Sequence, residues 1–206
     1  MSFTTYSDLQ TSIGNYLARS DLTSQIPDFI TFAENRLRRE LRIRQMLKSV
    51  TTATVSGDST LEIPSDFLQA RDFVVMTNPI QPLSYSSPSA LSNDPRTSEV
   101  GVPKSYTILA NDFQLTPVPD GVYTAKLLYF AAPAYLSSSN TTNVFLTTAP
   151  DALLYAALIE AEPYLYNDAR INTWGTMYDR AIGSLTKSDE QGQYSGVPLA
   201  MKLTSR

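Results

Sequence analysis

The stretch 24-SQIPDFITFAENRLRRELRIRQMLKSVTTATVSGDSTLEIP-64 changes its period part-way along. In its first half Ile26, Ile30, Ala33, Leu37 and Leu41 recur at helical spacing and form one apolar stripe. Pro27 fits the first turn, where a backbone N–H has no helical partner. The spacing predicts a helix from Ser24 to Leu47. From Val50 onward TTATVSGDSTLEI reads instead as a strand, an SGDS turn and a second strand, ended by Pro64. A chain that passes from helical to strand period this abruptly is α+β.

Upstream of the stretch, Leu9, Ile13, Tyr16 and Leu17 lie on one helical face, and Thr5 with Asp8 reads as a capping box. Downstream, Phe73–Met76 reads as a short strand. Five prolines between Thr77 and Lys104 argue for long loops and sheet edges. SYTILAN and DFQLTPVPDG read as a hairpin turning near Asn111-Asp112. VYTAKLLYFAAP is the longest strand candidate, with Tyr123, Ala125, Leu127 and Tyr129 alternating. Helical period returns after Pro150. Leu154, Leu158, Ala161 and Leu165 form one stripe, kinked at Pro163. Ile171, Trp174, Tyr178, Ala181, Ile182 and Leu185 form another.

The expected architecture is a four-helix body with a central antiparallel β-rich insertion. Residues 1–48 and 137–187 each supply a helical pair, and residues 49–136 form a β-rich wing with Pro-rich loops. Residues 188–206 contain Gly192, Gly196 and Pro198 and show no period. They read as an extended tail that owes its order to a partner, with Tyr194, Val197 and Leu199 as candidate contacts.

Composition removes whole classes of chemistry. The chain of 206 residues has no cysteine and no histidine. Disulfides, thiol nucleophiles, Cys/His zinc sites and Ser-His-Asp arrangements are therefore excluded. Charged residues make up 17%, below the usual quarter, as suits a chain whose surfaces are covered by partners. MSFTTYSDLQ lacks a basic region followed by an apolar core, so we expect no signal peptide. The most apolar run, Leu127–Leu136, is broken by Pro133 and is too short to span a bilayer. A soluble protein is expected.

The positive charge is concentrated. Residues 34–48 carry five Arg, one Lys and two Glu, a net of +4, which leaves −8 for the rest of a chain that totals −4. On a helical wheel Arg38, Arg39 and Arg42 fall on the polar side, facing solvent, a neighbour or DNA. Arg36, Glu40 and Arg44 border the apolar arc and form a potential i, i+4 ladder. Charges beside an apolar arc need partners, so these three are candidate contacts between helices or subunits. A solvated basic face is the plain alternative. Sequence-specific DNA reading lacks any helix-turn-helix, zinc or β-ribbon context.

Carboxylates are the only plentiful acid-base groups. A pair of them would suit glycoside hydrolysis, but Glu160 and Glu162 point to different faces, and Asp66 and Asp72 merely flank a strand entry. No catalytic, metal-binding or cofactor-binding residue is assigned. There is no GxxxxGK[ST] or GxGxxG phosphate cradle. Tyr155, Tyr164, Tyr166, Trp174 and Tyr178 sit at helical spacing, which favours core packing over base stacking.

An ordered set of phrases resembles phage adaptor proteins, the head-to-tail connectors of short-tailed phages. It runs from TYSDLQTSIGNYLARSDLTSQIPDFITFAENRLRRELRIRQM through TVSGDSTLEIPSDFLQARDFVV and GVPKSYTILANDFQLTPVPDGVYTAKLLYFAAPAYLS. It ends with TNVFLTTAPDALLYAALIEAEPYL and the pair Trp174 and Tyr178. The resemblance covers roughly residues 4–187. It implies a structural virion protein with a helical bundle and a β-rich wing, without catalytic residues or cofactors. It further implies a homo-oligomeric ring, typically of twelve copies, under the portal protein in the virion neck, assembled in the host cytoplasm. A tail nozzle or tail tube protein, or tail fibres, would lie on the other side. DNA would pass through without sequence-specific binding, and no membrane would be involved. Two other readings stand beside it: a nucleic-acid-binding regulator using Arg36–Arg44, and a carboxylate-dependent cell-wall hydrolase.

Overall fold

Thr5 stands at the head of the first helix. Its hydroxyl accepts the Asp8 N–H at 3.3 Å, and the Asp8 carboxylate accepts the Thr5 N–H at 3.0 Å. The expected capping box is therefore formed. The computed structural model describes residues 4–92, 97, 99–165 and 169–193. Along them run α1 (Tyr6–Leu17), α2 (Ile26–Glu40), β1 (Leu47–Ala53), β2 (Thr60–Glu62), β3 (Phe67–Val75), β4 (Gln81–Pro82) and β5 (Ser84–Tyr85). Then come α3 (Pro88–Ser92), β6 (Ser105–Leu109), β7 (Asp112–Thr116), β8 (Thr124–Ala131), α4 (Val144–Thr148), α5 (Pro150–Glu160), α6 (Glu162–Leu165) and α7 (Ile171–Gln193). The fold is α+β, with several helices and sheets that are antiparallel except where β5 pairs parallel with β6. It divides into a helical unit, Met1–Gln45 with Pro133–Arg206, and a β unit, Met46–Ala132.

In the helical unit α5 is apolar on nearly every side. Ala152, Leu153, Leu154, Ala156, Ala157 and Leu158 are all buried. Such a helix belongs in the middle of a core, and α5 packs against α1, α2, α4 and α7. The α2 stripe lies buried as expected, through Ile26, Ile30, Ala33, Leu37 and the C-cap Leu41. The α1 face buries Leu9, Ile13 and Leu17 but leaves Tyr16 exposed.

Three boundaries differ from expectation. Helix α2 stops at Glu40, and Leu41 is extended, with φ −95° and ψ 138°. The reason lies in Leu41-Arg42-Ile43-Arg44. In a helix Leu41 and Ile43 would point about 200° apart; in extended chain they share a side. Both are buried, at 1% and 2% exposure. The kink expected at Pro163 is a break, since α5 ends at Glu160 and Pro163 sits in the first turn of α6. Helix α7 runs to Gln193, so residues 188–193 are helical rather than part of an extended tail. Tyr194, Val197 and Leu199 lie outside the described residues.

The β unit holds two four-stranded sheets, ordered β1-β8-β3-β4 and β2-β7-β6-β5. Strand β8 is central in the first and pairs antiparallel with β1 from Leu47↔Phe130 to Ala53↔Thr124. On its other side it pairs with β3. Strand β3 is longer than the predicted Phe73–Met76. Register shifts between Phe67 and Gln69 and between Ala70 and Asp72 break its alternation, which hides its first half from a period-two reading. Strands β6 and β7 form the expected hairpin, with Ala110 at φ 53° in the turn.

The expected β1–β2 hairpin does not form. Strand β1 belongs to one sheet and β2 to the other, where it pairs with β7. The SGDS turn is held by the β7–β8 loop instead: the Gly57 N–H donates to the Pro119 carbonyl at 2.8 Å, and the Ser56 hydroxyl to the Asp120 carbonyl at 3.0 Å. The core of this unit includes Phe73, Phe113, Leu115, Leu127 and Tyr129. The Phe113 ring lies 5.1–5.7 Å from those of Phe67, Phe73 and Tyr106.

Candidate functional site

The arginine segment sorts its charges by partner. The Arg36 Nε on α2 donates to Glu160 Oε1 at 2.8 Å, and Nη2 reaches the same oxygen. The same guanidinium lies 5.8 Å from the centre of the Tyr178 ring. The Tyr178 hydroxyl donates to the Glu40 carboxylate. Burial, and then the bond to Glu40, push that phenol's pKa well above its ordinary value.

Arg44 points to the other end of α7. Its backbone N–H donates to Asp189 Oδ1 at 3.1 Å, and its Nε lies 3.5 Å from the same atom. Gln193 Nε2 donates to Asp189 Oδ2 at 2.8 Å. Asp189 is only 6% exposed. A Cβ at Gly192 would stand 2.6 Å from the Arg44 guanidinium, so the missing side chain is what lets it approach.

The expected Arg36–Glu40–Arg44 ladder is therefore absent. A ladder needs all three on one helix, and α2 ends at Glu40. Each takes a partner from α5 or α7 instead. Helical spacing within one helix could not show these partners, which lie on other helices.

Arg38 and Arg42 do not face freely outward either. The Arg38 guanidinium lies 3.4 Å over the Tyr135 ring, and its Nη2 donates to the Pro133 carbonyl. Tyr135 in turn donates its hydroxyl to Asn35 Oδ1 at 2.5 Å. Arg42 Nη1 folds back onto the carbonyls of Arg38 at 2.8 Å and Leu41 at 2.6 Å. A cation there satisfies the bare carbonyls of a helix C-terminus and complements its dipole. Arg39 is exposed and has no hydrogen bond or ion pair among the described residues.

Sequence reading missed Glu34. It is fully buried on α2 and accepts the Leu136 N–H at 3.1 Å and the Asn143 side-chain amide at 2.6 Å. Asn143 also caps α4, accepting the Leu146 N–H at 3.0 Å. Burial raises the Glu34 pKa above the ordinary carboxylate value, against the pull of these two donors. The signal was present: Glu34 follows Ile30 by four residues and precedes Leu37 by three, inside the apolar stripe.

Of the other acids named above, Glu160 and Asp66 have partners, while Asp72 is exposed. Glu160 is held by Arg36. Asp66 accepts Lys48 Nζ at 2.5 Å and the Tyr129 hydroxyl at 2.8 Å. Among the described residues no group of three or more carboxylates is placed to hold a metal ion. No helix among them is long and apolar enough to cross a membrane.

The side chains around the arginine segment latch one helix of the helical unit to another. The family model for the SU10 adaptor protein matches residues 4–202. The chain belongs to the SU10 adaptor protein family. A comparison with curated proteins finds no match. Membership makes the chain a phage adaptor, a structural protein of the virion, and accounts for the ordered phrases running from α1 into α7.

Proposed function

We propose that this SU10 adaptor is the head-to-tail connector of its virion. Copies form a ring, twelve by the resemblance, that joins the portal protein to a tail nozzle or tail tube protein in the neck. DNA passes through the ring without sequence-specific reading. The observation that carries this reading is the family match over residues 4–202.

The geometry of the arginine segment supports it over a nucleic-acid regulator. Arg36, Arg38, Arg42 and Arg44 spend their guanidinium groups on Glu160, Pro133, Arg38–Leu41 carbonyls and Asp189. A duplex-binding face needs several cations free for phosphates; of the five arginines Arg39 and Arg44 are exposed, and Arg44 is engaged by Asp189. The charge polarity of the chain instead suits complementary docking between copies.

Size-exclusion chromatography with light scattering, and co-sedimentation with portal protein, test the proposal. We expect a large closed oligomer or assembly on portal. A stable monomer without affinity for portal or tail would overturn it. Tight, salt-steep duplex binding lost on reversing Arg39 to Glu would favour the regulator.

A further inference from the structure

Each unit presents an exposed apolar surface, and the two surfaces carry opposite charge. In the helical unit the surface lies along α2. Phe32 is 53% exposed. Asn35 and Arg39 follow it at i+3 and i+7, on the same face. Tyr135 lies beside Asn35 and is also exposed. Its hydroxyl is fixed to Asn35 Oδ1, and the Arg38 guanidinium stacks over its ring. Arg39 has no hydrogen bond or ion pair among the described residues. The one acid on this stripe, Asp28, lies a turn ahead of Phe32. An exposed phenylalanine, a tyrosine clamped in place and an arginine with charge to spare match the residue types enriched at the centres of protein interfaces.

In the β unit the surface is built around the β7–β8 loop, which gathers three other segments. The Thr54 N–H donates to the Tyr123 carbonyl at 2.9 Å, the Met76 N–H to the Thr124 carbonyl at 2.8 Å, and the Gly101 N–H to the Val118 carbonyl at 2.8 Å. On these segments Val55, Met76, Val100 and Val122 are exposed, Val122 to 74%, and Ile80 is exposed in the turn after Met76. Apolar side chains gathered on loops in this way mark a surface that something covers. Asp58, Glu99 and Asp120 stand among them, all exposed. Residues 54–60, 76–80, 99–101 and 117–123 contain no lysine or arginine.

We propose that the α2 surface of one copy docks on the β7–β8 loop surface of a second copy, with Phe32 and Tyr135 against the exposed valines and Arg39 facing Glu99 and Asp120. The occupant is a second copy because the surfaces match in both respects, aromatic ring to aliphatic side chain and cation to carboxylate. Neither surface suits a copy of itself. A two-fold pairing would bring arginine to arginine or carboxylate to carboxylate as water is excluded, and like charges so placed repel. A contact between two different surfaces is heterologous, the kind from which rings are built. The inference rests on the ring reading above and says which surfaces join neighbouring copies.

Charge reversal on the full-length chain tests it. Arg39→Glu puts an acid on the α2 surface, so both surfaces carry carboxylates. Glu99→Lys with Asp120→Lys puts bases on the loop surface, so both carry cations. These side chains are exposed, and a thermal melt checks that each variant folds. Assembly is read by light scattering on the chain alone and by co-sedimentation with portal protein. We expect either variant by itself to assemble at least about tenfold more weakly than wild type. An equal mixture of the two should recover, because each altered surface then meets its complement on the other protein. A contact within one chain could not be rescued by mixing. Phe32→Ala should weaken assembly by about tenfold, and Tyr16→Ala, exposed on α1, by less than about twofold. Reversed variants that assemble like wild type, or a mixture that stays apart, overturn the proposal and leave the ring standing. A wild-type chain that assembles neither alone nor on portal removes both.

Discussion

The helical unit and the β unit hide different things from a reader of the sequence. In the helical unit the buried stripes are legible almost residue by residue, because one face of a helix is set by local spacing. What the spacing does not reveal is which charge meets which. In the β unit several strands are legible, but beyond the β6–β7 hairpin their pairing is not. The SGDS turn looks like a hairpin and instead carries the chain from one sheet to the other. Elements are local and partners are not. The two units should therefore fail differently when perturbed.

The sharpest test removes Phe113. It is 1% exposed and sits among the rings of Phe67, Phe73 and Tyr106. Phe113→Ala should cost about 3–5 kcal/mol, the usual range for a buried ring lost with its cavity unfilled. If the units are separately cooperative, hydrogen exchange will show protection lost across β2, β6, β7 and β8 while α2 and α5 keep theirs. Equal loss in both units would erase the contrast.

Glu34 is the next largest effect and belongs to the helical unit. Glu34→Ala leaves the Leu136 N–H and the Asn143 amide without their acceptor, at a cost of about 1–3 kcal/mol. Glu34→Gln keeps an acceptor and should cost less. The two also separate by pH. Because the folded state raises this carboxyl's pKa above its ordinary 4.5, the folded chain holds the proton more tightly than the unfolded one. Its contribution is greatest below 4.5 and falls as pH rises through the raised value. Denaturant midpoints of wild type relative to Glu34→Gln should therefore decline from pH 4.5 upward. A flat difference would show that the donors around Glu34 cancel the burial.

How much was readable follows from these cases. The capping box at Thr5, the α2 stripe, the β6–β7 hairpin and the α+β order were all local patterns. The end of α2 was not: Leu41 and Ile43 suit a helical stripe poorly, but a run of arginines around them reads as helix by propensity. Only burial of both side chains decides for extended chain. Arg36 and Glu40 stand out because they border an apolar arc. Their partners Glu160 and Tyr178 lie more than a hundred residues on, where no spacing rule reaches. Glu34 is eclipsed by the five arginines that follow it, although a single acid inside the stripe is the rarer signal.

The arginines supply a smaller, internal contrast. Arg36→Ala removes two hydrogen bonds to a half-buried carboxylate and should cost about 2 kcal/mol in a denaturant titration. Arg39→Ala, on an exposed side chain three residues away, should fall within about 0.5 kcal/mol. Comparable losses would mean that the latch onto α5 contributes little and the segment acts through charge alone.

The smallest effects should differ in sign between the two units. Gly57 in the SGDS turn has φ +82° with open space around it, so Gly57→Ala meets no clash and costs only the left-handed backbone, about 1 kcal/mol. Gly183 sits inside α7, where an added methyl group would likewise meet nothing within 4 Å. There alanine relieves the entropy of a helical glycine, and Gly183→Ala should stabilise by up to about 1 kcal/mol. The same methyl group thus reads backbone conformation alone, free of packing. If both substitutions destabilise in thermal melts, the Gly183 face of α7 is covered in the assembled state being measured, and the methyl group is meeting a neighbour.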